Sequence, residues 1–131
     1  MNKKELEESL SINLQFEKRG GLLPVIVQDV ESKDILMLGY ANQEAWQETL
    51  NSGMATFWST SRNEIWTKGK TSGDYLAIQA ILVDCDQDAI IYQVERLGSG
   101  ACHTKNSNGE ARKSCFYRKL QANQLLVNLE K

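Results

Sequence analysis

The segment "VDCDQD" sets Asp84, Asp86 and Asp88 at a period of two, with Cys85 between the first pair. Taken with Glu95, the carboxylates fall at positions 1, 3, 5 and 12 of an EF-hand calcium loop. That loop needs glycine at its sixth position for a sharp turn, and Ala89 stands there. It also needs a helix on each side, whereas the flanks are rich in Ile, Val, Leu and Tyr in strand-like patterns. Calcium sensing is therefore excluded. In a locally extended segment the three carboxylates project from one face and Cys85 from the other. Carboxylates so close repel one another unless a cation or basic groups neutralise them. Oxygen-only ligation suits a hard ion such as Mg²⁺, and a solvated acidic turn is the alternative.

A second group lies in "ACHTKNSNGEARKSC", which holds Cys102, His103 and Cys115. The two cysteines match no standard zinc-finger spacing. Three thiolates, or two with the imidazole, would fill three positions of tetrahedral Zn²⁺. Water in the fourth position makes a catalytic site, and a protein ligand there makes a structural one. Adjacent residues can hardly both ligate in good geometry, so His103, the only histidine, is the candidate proton-transfer group. A third polar stretch, "WTKGKTSG", offers Lys68, Lys70, Thr71, Ser72 and the N–H groups around Gly69 and Gly73. Such groups hold phosphate, although the order of a P-loop is absent and a plain surface loop has the same composition.

These residues need a scaffold, and 131 residues suffice for one domain (1–131) with a real core. "KKELEESLSI" reads as a short helix with Leu6 and Leu10 on one face. The runs 22–30 and 34–40 read as a β-hairpin. "ANQEAWQETLNSG" reads as a helix capped by Asn42 and closed by Gly53, with Trp46 and Leu50 sharing a face. Residues 54–59, 75–86 and 88–98 read as strands, 60–75 as a long loop or loose hairpin, and the C-terminal stretch as strand or helix. The expected fold class is α+β, mainly antiparallel β with one or two helices. A net charge of −2 from interspersed signs argues against nucleic acid and a membrane surface, and no apolar run is long enough to span a bilayer. The N-terminus lacks the apolar core of a secretory signal, and three cysteines suit a reducing compartment, so a cytoplasmic location is expected.

In order along the chain, "LLPVIVQD", "LMLGYAN", "FWSTSRNEIWTKGKTSG", "DCDQD" and "ACHT…SCFYR" resemble the phosphoribosyl-AMP cyclohydrolase family in its stand-alone form. The resemblance runs from about Leu22 to Arg118. It implies a hydrolase of the third step of histidine biosynthesis, opening the adenine ring of N1-(5-phosphoribosyl)-AMP at the N1–C6 bond by zinc-activated water attack on C6. It further implies an intertwined homodimer. Zinc would be held by Cys85 of one subunit with Cys102 and Cys115 of the other, and Mg²⁺ by Asp84, Asp86 and Asp88. The stretch holding Ser59, Arg62, Trp66, Lys68, Gly69, Thr71, Ser72 and Gly73 is similar to the segment that meets the substrate's phosphoribosyl groups. Two departures stand out. Thr60 replaces an arginine of the family's usual "SRSR", and the segment between Cys102 and Cys115 is longer by six residues, so that 105–112 is expected to bulge outward. A small zinc-stabilised binding module is the non-enzymatic alternative, and a nucleobase deaminase the enzymatic one.

Overall fold

The computed structural model describes residues Met1–Lys131. Its centre is a four-stranded sheet in the order β2-β1-β6-β5. Strands β1 (Leu23–Asp29) and β2 (Ile35–Ala41) form the expected hairpin. A second hairpin joins β5 (Leu76–Val83) to β6 (Ile90–Arg96). Between them come α2 (Gln43–Ser52) and a separate hairpin of β3 (Thr56–Ser59) and β4 (Glu64–Thr67). The chain starts with α1 (Lys3–Glu8) and ends with a hairpin of β7 (Arg118–Leu120) and β8 (Leu126–Asn128). The fold class is α+β with mainly antiparallel strands and two helices, as expected. One pairing goes beyond that expectation: β1 and β6 run parallel, from Val25↔Ile90 to Asp29↔Val94. No helix is long and apolar enough to cross a membrane.

Alternation decides which side chains enter the core. Along β1, Leu23, Val25, Val27 and Asp29 point inward, and along β6 Ile90, Tyr92 and Val94 do the same. All of these but Asp29 join a cluster of 16 buried residues that includes Trp46 of α2 and Phe57 of β3. The ring of Tyr92 lies 6.4 Å from Trp46 and 6.2 Å from Phe57 between centroids, which is aromatic contact range. Phe57 also explains Gly39, where a Cβ would sit 2.7 Å from its ring. The glycine lets β3 press against β2.

Two local expectations are corrected. Helix α2 begins at Asn42, whose Oδ1 accepts from Ala45 N at 2.8 Å, and closes at left-handed Gly53. Its buried face, however, is Ala45, Trp46 and Thr49, while Leu50 is exposed. The cause is Thr49 Oγ1, which accepts from Thr56 N at 3.0 Å and lies 3.0 Å from Ala45 O, tying the helix to β3. At the N-terminus, α1 stops at Glu8 and Leu10 is fully exposed rather than sharing a helical face with Leu6. Gln87 captures this segment instead: its amide accepts from Asn13 N at 2.6 Å and donates to the carbonyls of Leu6 and Ser11. A non-local side chain thus overrides helix propensity.

Asp29 is buried at the C-terminal end of β1, where its Oδ2 accepts from Arg96 Nε at 2.9 Å and its Oδ1 from Glu31 N at 2.9 Å. Burial alone raises its pKa, but the Arg96 bond and the backbone N–H groups of Glu31 and Ser32 outweigh burial and hold it below the ordinary carboxylate value. A depressed folded-state pKa contributes stability that is present above the unfolded value, about 3.9, and is lost as pH falls through the folded value. Asp29→Asn should therefore lower unfolding stability by about 2 kcal/mol at neutral pH, as measured by urea titration. The gap from the parent should narrow as the pH falls below the ordinary carboxylate range.

Candidate functional site

A concavity of about 830 Å³ lies between the β3–β4 hairpin, the loop after β4 and the segment after β6. Of the expected substrate-contact residues, Ser59, Arg62, Trp66, Lys68, Gly69, Thr71 and Ser72 all line it. Gly73 does not; it supports the loop from behind by donating its N–H to Gly69 O at 2.7 Å. Gly69 is needed on two counts. Its φ is +93°, and a Cβ would lie 2.3 Å from Tyr75 N. Arg62, Lys68 and Lys70 face Glu48 and Glu64 around the opening, three cations against two carboxylates. Thr60 is exposed and is not part of the wall.

His103 and Cys115 line the other side of the same cavity. They are brought there by a short pairing of the two arms of the 102–115 segment. Cys102 N donates to Arg112 O at 3.0 Å, Ala101 N to Lys113 O at 3.0 Å, and Arg112 N to Thr104 O at 3.1 Å. Residues 105–111 close on themselves through the Lys105↔Ala111 bridge, and the tip 107–110 is exposed, so this segment bulges outward as expected. Cys102 is buried and its sulfur lies 2.9 Å from Thr104 Oγ1. Cys115 is fixed by its N–H, which donates to Leu36 O at 2.7 Å. Although the residue is exposed overall, partial desolvation of its thiol and the neighbouring Cys102 push it up to about 11, against the pull of Lys68. Without a cation this is a poor thiolate. A divalent ion between the Cys115 and Cys102 sulfurs reverses that balance, so the donor pair fits zinc.

The loop and the thiol arms are tied together by a residue the sequence reading missed. Asp74 Oδ1 accepts from Ser99 N at 2.9 Å and lies 3.3 Å from Ser99 Oγ, joining the loop after β4 to the chain that leads into Cys102. No spacing rule marks it, because its partner is 25 residues away.

The aspartates are gathered differently from the expectation. Strand β5 ends at Val83, and Asp84 through Asp88 form a tight turn rather than an extended segment. Asp84 N donates to Ala89 O at 3.1 Å, Asp84 Oδ1 accepts from Asp88 N at 2.9 Å, and Gln87 takes φ +58°. The turn still draws oxygens of all three carboxylates within 4.8 Å of one another, a hard-ion donor set. Basic groups already neutralise it. Lys18 Nζ lies 2.6 Å from Asp88 Oδ2 and 3.2 Å from Asp86 Oδ2, and Arg19 Nη2 lies 3.2 Å from Asp88 Oδ2. The Lys18 bond holds Asp88 well below the usual carboxylate range, whereas burial and the nearby Asp88 raise Asp84. Neither Lys18 nor Arg19 was singled out by the sequence reading.

Cys85 stands exposed on this turn beside a smaller cavity of about 320 Å³, which Leu6, Leu10, Ile12 and Val83 also line. The turn precedes β6 and Cys102 follows it. The seven residues of β6 hold the two ends roughly 20 Å apart. One chain therefore assembles Cys102 with Cys115, and Asp84 with Asp86 and Asp88, but not Cys85 with the other thiols.

The chain is 49% identical over 116 residues to the phosphoribosyl-AMP cyclohydrolase of Desulfatibacillum aliphaticivorans, covering 88% of each chain. It is 48% identical over 114 residues to that of Archaeoglobus fulgidus, covering 87% of this chain and 98% of the relative. To that of Streptococcus mutans it is 48% identical over 109 residues, covering 83% and 94%. A profile of the phosphoribosyl-AMP cyclohydrolase family matches residues 37–117. With the cavity loop, the aspartate turn, Cys102 and Cys115 inside that match, and with such relatives along most of its length, the chain belongs to the phosphoribosyl-AMP cyclohydrolase family.

Proposed function

We propose that the protein is a zinc- and magnesium-dependent phosphoribosyl-AMP cyclohydrolase of histidine biosynthesis, working as a homodimer in the cytoplasm. The observation that carries this reading is the single cavity in which His103 and Cys115 face Trp66 and the cationic loop. A zinc-stabilised binding module has no use for such a cavity. Cys85 supports the homodimer. Its distance from Cys102 along β6 leaves a second copy as the source of a third thiolate. Thiolate ligands in turn suit a reducing compartment.

In this reading Arg62, Lys68 and Lys70, with the hydroxyls of Thr71 and Ser72, take the phosphates of the nucleotide. Trp66, half-buried on the wall, offers its indole face to the adenine ring. Zinc on the three thiolates would acidify a water for attack on C6. Thiolates donate charge to the metal and temper that acidification, so a protein base has a part to play. His103, exposed on the wall, accepts the proton of the attacking water and returns it to N1 as the N1–C6 bond breaks. One water is consumed, the exocyclic amine stays as a carboxamide, and no ammonia leaves, which separates this reaction from nucleobase deamination. The aspartate turn fits Mg²⁺ by its donor set, and Lys18 would have to yield its place to the ion.

Three measurements test the reading. Cys102→Ser should lose bound zinc and ring-opening turnover together, turnover falling roughly 100-fold or more; full turnover in a zinc-free variant would sink the catalytic metal. Cys85→Ser and Cys102→Ser, each inactive alone, should recover about a quarter of parental activity when unfolded and refolded as an equimolar mixture, since half of the dimers then carry one intact site of two. No recovery would show that the thiols are not shared between subunits. His103→Ala should lower kcat about 100-fold and remove one limb of the pH–rate profile, whereas an unchanged profile would assign the proton transfer elsewhere.

A further inference from the structure

The matched family region stops at residue 117, and the last residues of this chain return to the segment that the family resemblance marks as lengthened. After β8, Leu129 N donates to Tyr117 O at 2.7 Å and Glu130 N to Asn128 Oδ1 at 2.8 Å, which fixes the direction of the terminal segment. The Glu130 carboxylate then accepts from two successive backbone groups, Lys113 N at 2.7 Å on Oε1 and Ser114 N at 3.1 Å on Oε2. Its carbonyl accepts from Arg112 Nε at 2.8 Å. The Arg112 guanidinium in turn lies 4.2 Å from the centroid of the Tyr117 ring. The three contacts made by Glu130, to Arg112, Lys113 and Ser114, fall on the residues immediately before Cys115.

Successive N–H groups point to opposite sides in an extended strand and converge only where the backbone turns into an anion-binding concavity. A carboxylate that bridges both groups therefore selects the turned conformation over the extended one. The other side of the same residues is held as well. Lys113 Nζ reaches Asp34 Oδ2 at 2.7 Å, and Ser114 Oγ donates to Ile35 O at 2.7 Å. A longer loop leaves its two ends less constrained by each other, and that loss grows slowly with length. The terminal segment supplies the missing constraint at the Cys115 end.

We propose that Glu130 is a positioning residue for the Cys115 ligand, so that the C-terminal segment completes the thiolate pair at the end of the lengthened loop. The inference rests on the reading that Cys102 and Cys115 hold zinc.

The test uses full-length metal-free protein titrated with Co²⁺, whose thiolate charge-transfer band reports sulfur ligation without reference to turnover. Glu130→Ala should weaken Co²⁺ binding about tenfold, the scale of a lost partner behind a metal ligand. Glu130→Gln, which keeps one acceptor oxygen, should fall between Ala and the parent and also covers the case in which the Ala variant does not fold. In the absence of metal, amide exchange at Lys113 and Ser114 should be faster in Glu130→Ala. Parental Co²⁺ affinity in that variant, or weaker affinity with unchanged amide exchange, would overturn the positioning role and leave the zinc reading intact. Absence of the charge-transfer band in the parent would overturn the zinc reading and this inference with it.

Discussion

The parallel pairing of β1 with β6 is the constraint on which the rest of the structure depends. Each strand already has an antiparallel neighbour, so this ladder welds two independent hairpins into one sheet. Parallel strands start at the same end. The turn Phe16–Arg19 before β1 is thereby set against the aspartate turn before β6, and Lys18 and Arg19 meet Asp86 and Asp88. At the other end, Asp29 closing β1 meets Arg96 closing β6, and the chain running on from β6 leads to Cys102 and His103. An antiparallel pairing of the same strands would set Lys18 and Arg19 at the thiol end of the sheet and scatter both charge clusters.

The two ends differ in chemistry and each is balanced locally. The aspartate turn offers hard oxygen donors and carries its own ammonium and guanidinium counter-ions. Those side chains keep three carboxylates close together at a cost that would otherwise be repulsive. The thiol end offers soft donors beside a cavity walled by lysines and an arginine. A strand of seven residues separates the two ends, and the same length that makes the sheet stable keeps Cys85 from its fellow cysteines. What is a stabilising element within one chain becomes, in the proposed dimer, the reason that two chains are needed.

The cavity is built almost entirely from segments that are irregular by themselves. The loop after β4, the turn at Ser99 and the 102–115 segment owe their shapes to non-local bonds: Asp74 to Ser99, Cys115 N to Leu36 O, and Glu130 to Lys113 and Ser114. Such loops carry polar backbone groups that the sheet cannot satisfy, so single side chains satisfy them. This division lets the sheet keep its register while a loop lengthens. Residues 105–111 close as a short hairpin between the two arms.

Much of this was legible from the sequence, because local physics decides it. Apolar, β-rich runs marked β1, β2, β5 and β6, Asn42 and Gly53 marked the ends of α2, and the order of polar motifs pointed to the family and to a set of residues of which nearly all expected contacts line one cavity. The errors fell where a distant partner wins. Leu50 yielded its buried place to Thr49 because Thr56 needed a hydrogen-bond partner, and Leu10 left its helix because Gln87 binds the carbonyls around it. The aspartates alternate as they would in a strand, yet they close a turn, because the β5–β6 ladder ends at Val83 and Ile90 and the residues between must reverse the chain. The sequence by itself determined the kinds of donor available, hard oxygens, soft sulfurs, one imidazole and a cationic loop. Only the tertiary structure decided which of them meet, because the parallel ladder between β1 and β6, formed by residues more than sixty positions apart, sends the oxygens to one end of the sheet and two of the three sulfurs to the other.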